Sequence, residues 1–146
     1  TLHQLLRMTR WGTAEKPLDI LLVDMPPGTG DIHLSMVQQV PLTGAVIVTT
    51  PQDVATIDAK KCGQMFLKTG AKLLGVIENM SYFTDVNGGR VAIFGEGGGK
   101  RLADELSVPL LGSIPIDVAL REASDSGMEY KGICAGVYKD IAEKLL

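Results

Sequence analysis

The chain has 146 residues, enough for one domain with a substantial core. Hydrophobic residues make up 45% and charged residues 21%, which excludes disorder as the main state. A balance of 14 basic against 17 acidic residues gives a net charge of −3, which argues against nucleic acid as a partner, and no apolar run is long enough for a transmembrane helix.

Residues 1–11 carry Leu2, Leu5, Leu6 and Met8 and predict a first helix. Ile20-Leu21-Leu22-Val23 predicts a first strand ending on Asp24, and a helix follows near Ile32. Ala45 to Val48 is a second strand, running into Thr49-Thr50-Pro51. From Asp53, an N-cap candidate, the residues Val54, Ile57, Cys62, Met65 and Phe66 mark one helical face, and Gly70 suits its end. Leu73 to Ile77 is a third strand, ending in Glu78-Asn79. Asn87-Gly88-Gly89 and Gly95 to Gly99 read as loops. Lys100 to Leu106 predicts another helix. Val108 to Ile114 is a fourth strand, broken by Pro109 and Gly112 and ending at Pro115; Val137 to Leu146 closes the chain as a helix. Apolar runs this continuous fit strands covered on both faces, as in a parallel sheet. The alternation of elements implies a single α/β domain over residues 1–146.

Ligands of open α/β sheets bind beyond the carboxyl ends of the strands. Asp24-Met25-Pro26-Pro27-Gly28, Thr49-Thr50-Pro51, Glu78-Asn79 and Pro115-Ile116-Asp117 are therefore expected on one edge. A carboxylate at Asp24 suits Mg²⁺ held through water, or else caps the helix near Ile32. Gly28 lets a backbone N–H approach a phosphate closely. The amide of Asn79 donates and accepts together, which suits a purine edge; the plain alternative is a turn residue. Pro115 to Asp117 either walls the same pocket or is an ordinary strand exit.

Other motifs fail on spacing. Gly95 to Lys100 is no phosphate loop, because its first Gly is one residue too close and Arg101 stands where a hydroxyl is needed. The run Gly28-Thr29-Gly30-Asp31 is no dinucleotide fingerprint, because His33 stands where Gly is required. His3 and His33 are isolated, and the lysines at 60, 61, 68 and 72 fit a solvated face. Cys62 and Cys134 are far apart and fit two thiols in a reducing compartment better than a disulfide.

The string Asp24-Met25-Pro26-Pro27-Gly28-Thr29-Gly30-Asp31 resembles the Mrp/ApbC/Ind-type P-loop ATPases, the iron–sulfur carrier branch of the MinD/ParA superfamily. The resemblance continues through residues 44–55, Glu78 to Phe83, Phe94-Gly95, Ile114 to Asp117 and Arg121 to Gly127. It implies a P-loop NTPase-like, three-layer parallel-sheet fold. It gives Asp24 the role of the Walker B carboxylate holding Mg²⁺ through water, and makes Pro26, Pro27 and Gly28 a switch loop near the γ-phosphate. Asn79 becomes the adenine reader, flanked by Pro115 to Asp117. The family's members bind and slowly hydrolyse ATP as homodimers, and pass a [4Fe–4S] cluster to apo iron–sulfur proteins.

The sequence departs from that family twice. The Walker A loop and its strand do not occur in it, so residues 1–146 are expected to be the C-terminal part of such a domain, unable to hydrolyse ATP alone. Phe83 is followed by Thr84 to Gly89, where relatives carry Cys-x-x-Cys. A non-enzymatic short paralogue acting as a scaffold is the alternative. A MinD-like positioning ATPase is a third, but Tyr138 to Leu146 balances two lysines against two acids, a weak lipid signal. The expected location is the cytoplasm, or the mitochondrial matrix for a eukaryotic source.

Overall fold

Strands with apolar residues on both sides need a helical layer on each face, and the chain supplies both. The computed structural model describes residues 4, 6, 8–26, 28 and 30–146. In chain order the elements are α1 (Asp31–Gln39), β1 (Ala45–Thr49), α2 (Asp53–Lys68), β2 (Leu73–Glu78), β3 (Phe83–Thr84), β4 (Arg90–Val91), α3 (Gly98–Leu106), β5 (Leu110–Ser113), α4 (Val118–Ser126) and α5 (Cys134–Leu145). The main sheet has the order β1-β2-β5, and both pairings are parallel. The strands β3 and β4 form a separate antiparallel hairpin.

Successive strand residues face opposite sides, so one sheet feeds two cores. Ile47 and Val76 pack with Phe66, Leu102, Ala103 and Leu106 on the side of α2 and α3. Val46 and Ile77 pack with Leu111, Ile114, Cys134 and Ile141 on the side of α5. This is the three-layer α/β arrangement expected from the sequence.

Helix ends follow local chemistry. Asp53 lies inside the first turn of α2 rather than capping it, since Gln52 holds the cap position. A carboxylate there still favours the positive end of the helix dipole. At the other end the Thr69 hydroxyl donates to the Met65 and Phe66 carbonyls, and Gly70 follows at φ +78. The helix α3 begins at Gly98, two residues before the expected Lys100, and α5 begins at Cys134 rather than Val137.

Three expectations need correction. Residues 20–23 form no strand, and their side chains are exposed, Leu22 at 87%. A strand exists only through ladder partners, and among the described residues none pairs with this segment or with the outer edge of β1. Apolarity there marks a side chain suited to burial, which is not sufficient for pairing. The hairpin β3–β4 and the helix α4 arise where no element was expected from periodicity. Helix α4 has no fully buried residue, so no apolar stripe announces it. The first expected helix rests partly on Leu2 and Leu5, which lie outside the described residues, as does His3.

Candidate nucleotide-binding site

The carboxyl edge of the sheet is stitched together by main-chain hydrogen bonds. Asn79 N–H donates to the Thr49 carbonyl at 2.7 Å, joining the ends of β1 and β2. Ile114 N–H donates to the Glu78 carbonyl at 2.8 Å, and Ser81 N–H returns a bond to the Ile114 carbonyl at 2.9 Å. Ile116 N–H donates to the Tyr82 carbonyl at 2.7 Å, and Phe83 bridges to Ile116. Asn79 and the segment Pro115 to Asp117 are thereby brought to one edge, as expected. Asp24, Pro26 and Gly28 lie on an exposed stretch that joins none of these bonds, because the strand expected to carry them does not form. Pro27 lies outside the described residues.

A residue without an assigned role in the sequence anchors this edge. Glu78 ends β2 and is only 4% exposed. Its carboxylate accepts from the Ser81 hydroxyl and, at 2.6 Å, from Gly99 N–H in the first turn of α3. Buried charge is tolerated only when hydrogen-bonded in this way. The close approach explains the glycine run. A Cβ on Gly99 would stand 2.6 Å from Glu78 Cβ, and a Cβ on Gly98 would stand 2.7 Å from the Pro51 carbonyl carbon and closer still to its oxygen. Gly98 and Gly99 are a packing device that seats α3 against the strand ends, while Gly97 supplies the left-handed N-cap at φ +70. The sequence signal was a carboxylate closing an apolar run, with Ser three residues on.

A second network holds the Pro115–Asp117 segment. Asp117 caps α4 by accepting from Ala119 N–H at 2.9 Å, and its carboxylate also accepts from the Tyr130 hydroxyl. Cys134 N–H donates to the same hydroxyl oxygen at 2.9 Å, and the buried Cys134 thiol donates to the Pro115 carbonyl at 3.6 Å. Burial and the Asp117 carboxylate push the Tyr130 hydroxyl well above its usual range, so it stays a donor. Tyr130 lies 13 residues from its partner, and no sequence pattern announces the contact. Tyr130→Phe is expected to lower the unfolding free energy by about 1 kcal/mol, the usual worth of such a bond, with the α4 cap intact. Urea denaturation checks this; an unchanged midpoint would show that the network does not stabilise the fold.

Among the described residues no group of three or more His, Cys, Asp or Glu is placed to hold a metal ion. A single exposed carboxylate at Asp24 still fits a hydrated Mg²⁺, which takes one or two carboxylates and keeps several waters. The cysteines do not fit a shared cluster. Cys62 packs against the core on the α2–α3 side and Cys134 is buried in the core on the α5 side, so the sheet separates them. Burial raises the Cys62 thiol above its usual range, which disfavours the thiolate that a metal needs.

The terminal helix is committed to the fold. Its own Cys134 and Ile141 are buried, and its Lys144 Nζ donates to the Leu111 carbonyl at 2.6 Å. Its apolar face is covered by β5 and its neighbours, which leaves little to lay on a lipid surface. No helix among the described residues is long and apolar enough to cross a membrane.

A parallel sheet between two helical layers defines the class, an α/β fold. The model of the ParA family, described as NUBPL iron-transfer P-loop NTPase, matches residues 1–146, and the chain belongs to this family. The iron–sulfur cluster carrier protein of Synechocystis sp. is 48% identical over 129 residues, covering 87% of this chain and 35% of that protein. The iron–sulfur cluster transfer protein NUBPL of Dictyostelium discoideum is 45% identical over 151 residues, covering 99% of this chain and 46% of that protein. Among solved structures, the nucleotide-binding protein of Archaeoglobus fulgidus in complex with ADP, with Co, superposes with a TM-score of 0.70 at 42% identity. That match covers 82% of this chain and 50% of the other. The chain thus spans less than half the length of these two carrier relatives.

Proposed function

We propose that residues 1–146 form the base-reading and Mg²⁺-holding part of an ATP site in an iron–sulfur cluster carrier, and that they are the C-terminal part of its ATPase domain. The observation that carries this reading is the stitched carboxyl edge, where Asn79 and Pro115 to Asp117 meet. Asn79 presents an amide to the adenine edge, and Pro115 and Asp117 flank the base. Pro26, Pro27 and Gly28 are assigned to the phosphates, since Gly28, lacking a Cβ, admits a backbone N–H close to an oxygen. Asp24 holds Mg²⁺ through water. When bound, Mg²⁺ neutralises charge on the β- and γ-phosphates. Hydrolysis also needs a phosphate-cradling loop with its lysine, so residues 1–146 alone are expected to turn over ATP negligibly.

In the whole protein, ATP binding pairs two copies, and a [4Fe–4S] cluster is the cargo passed to apo iron–sulfur proteins in the cytoplasm or the mitochondrial matrix. Relatives named as cluster carriers and transfer proteins support the carrier part of this reading. The test is cluster transfer by the full natural gene product. Anaerobically loaded protein is mixed with an apo-ferredoxin, and the recovery of its visible absorbance is followed. Transfer faster than from free iron and sulfide is expected. A rate equal to that chemical background would leave a scaffold without carrier activity.

A further inference from the structure

Among the described non-glycine residues, Met80 and Ser107 have positive φ, and Met80 directly follows the proposed base reader at φ +52. A left-handed backbone at a residue with a Cβ is unfavourable and persists only when its surroundings impose it. Two side chains impose it here. Glu78, buried beneath the edge, accepts from the Ser81 hydroxyl on one carboxylate oxygen and from Gly99 N–H on the other. The main chain is fixed on both sides of the turn as well, by Asn79 N–H on the Thr49 carbonyl and Ser81 N–H on the Ile114 carbonyl. Within that turn, Met80 N–H donates to Asn79 Oδ1 at 2.9 Å.

That last bond has a chemical consequence. A backbone N–H can only donate, so it selects the amide oxygen and rejects the amide nitrogen. The Asn79 side chain is thus held in one of its two flip states. Along the Watson–Crick edge adenine pairs a donor amine at the 6-position with an acceptor at N1, whereas guanine pairs an acceptor oxygen at the 6-position with a donor at N1, so the order is reversed. A fixed amide presents one donor–acceptor order and suits one of these bases. An amide free to rotate half a turn suits both. We propose that Glu78 and Ser81 are positioning residues for base selection: by holding the left-handed Met80 turn they lock the Asn79 amide against flipping, and so enforce adenine over guanine. This rests on the reading of Asn79 as the base-contacting residue.

The test compares MgADP and MgGDP affinities of the full natural gene product by competition against a fluorescent adenine nucleotide. Wild-type protein is expected to prefer ADP. Ser81→Ala, which removes the hydroxyl from a half-exposed position, is expected to narrow that preference by about tenfold or more, mainly through tighter GDP binding, since a good bidentate base contact discriminates by about that much. Ser81→Thr restores the hydroxyl and is expected to restore the preference. Glu78→Gln keeps one acceptor oxygen and a hydrogen-bonding partner for Ser81, and is expected to retain most of it. Equal loss of ADP and GDP affinity in Ser81→Ala would mark a merely structural role and overturn the proposal, as would an unchanged ratio. Wild-type protein that binds neither nucleotide would instead overturn the underlying reading of Asn79, and this proposal with it.

Discussion

Asp24→Ala in the full natural gene product is expected to reduce Mg²⁺-dependent ATP turnover by about 10²-fold or more, given that Lewis-acid neutralisation is worth several kcal/mol and each 1.4 kcal/mol is tenfold. Phosphoryl transfer asks little covalent chemistry of the protein, so losing the group that fixes Mg²⁺ removes a main source of catalysis. The carboxylate is exposed, so the same change is expected to leave stability within about 0.5 kcal/mol. Steady-state phosphate release and a thermal melt separate the two effects. Unchanged turnover would remove Asp24 from the site. A large fall in melting temperature would instead make it a structural residue.

Gly98→Ala is expected to destabilise the fold by about 3 kcal/mol, the upper part of the usual overpacking range. The obstacle is backbone. The new methyl would stand 2.7 Å from the Pro51 carbonyl carbon, on a segment fixed by the end of β1 and by a fully buried proline ring. Neither side can rotate away as a flexible side chain would. Moving α3 outward would also strip Glu78 of the Gly99 N–H. Gly136, in the first turn of α5, is the control, because a Cβ there meets nothing within 4 Å. Gly136→Ala is expected to stabilise by up to about 1 kcal/mol through helix propensity and a less flexible unfolded chain. Urea midpoints of the two variants should move in opposite directions. Equal shifts would contradict the packing account of the glycine run.

The α/β architecture was legible because it rests on strong signals. Unbroken apolar runs such as Ala45 to Val48 and Leu73 to Ile77 require two covered faces, and the segment after Asp53 repeats at helical spacing. The strand ends converge by topology, so Asn79 and Pro115 to Asp117 were found together. Ile20 to Val23 failed as a strand because pairing depends on a neighbour, which a single segment cannot encode. Helix α4 was hidden for the opposite reason, since its residues lack a buried face while Asp117 supplies its cap. The roles of Glu78 and Tyr130 were illegible because each acts across distance in sequence. Glu78 reaches Gly99, 21 residues on, and Tyr130 reaches back 13 residues to Asp117. The missing Cys-x-x-Cys after Phe83 was plain in the sequence, and the hairpin β3–β4 occupies that place. Its turn is held by Asp85, which accepts from Asn87 N–H at 2.8 Å and Gly89 N–H at 2.7 Å.

The central claim is that the edge carrying Asn79 reads an adenine nucleotide. Calorimetric titration of the full natural gene product with MgADP, beside its Asn79→Ala variant, tests it most directly. One ADP per protomer is expected, with affinity about tenfold weaker in the variant, since a lost base contact is worth roughly 1–3 kcal/mol. Absent heat in the wild type, or equal affinity in both proteins, would contradict the account.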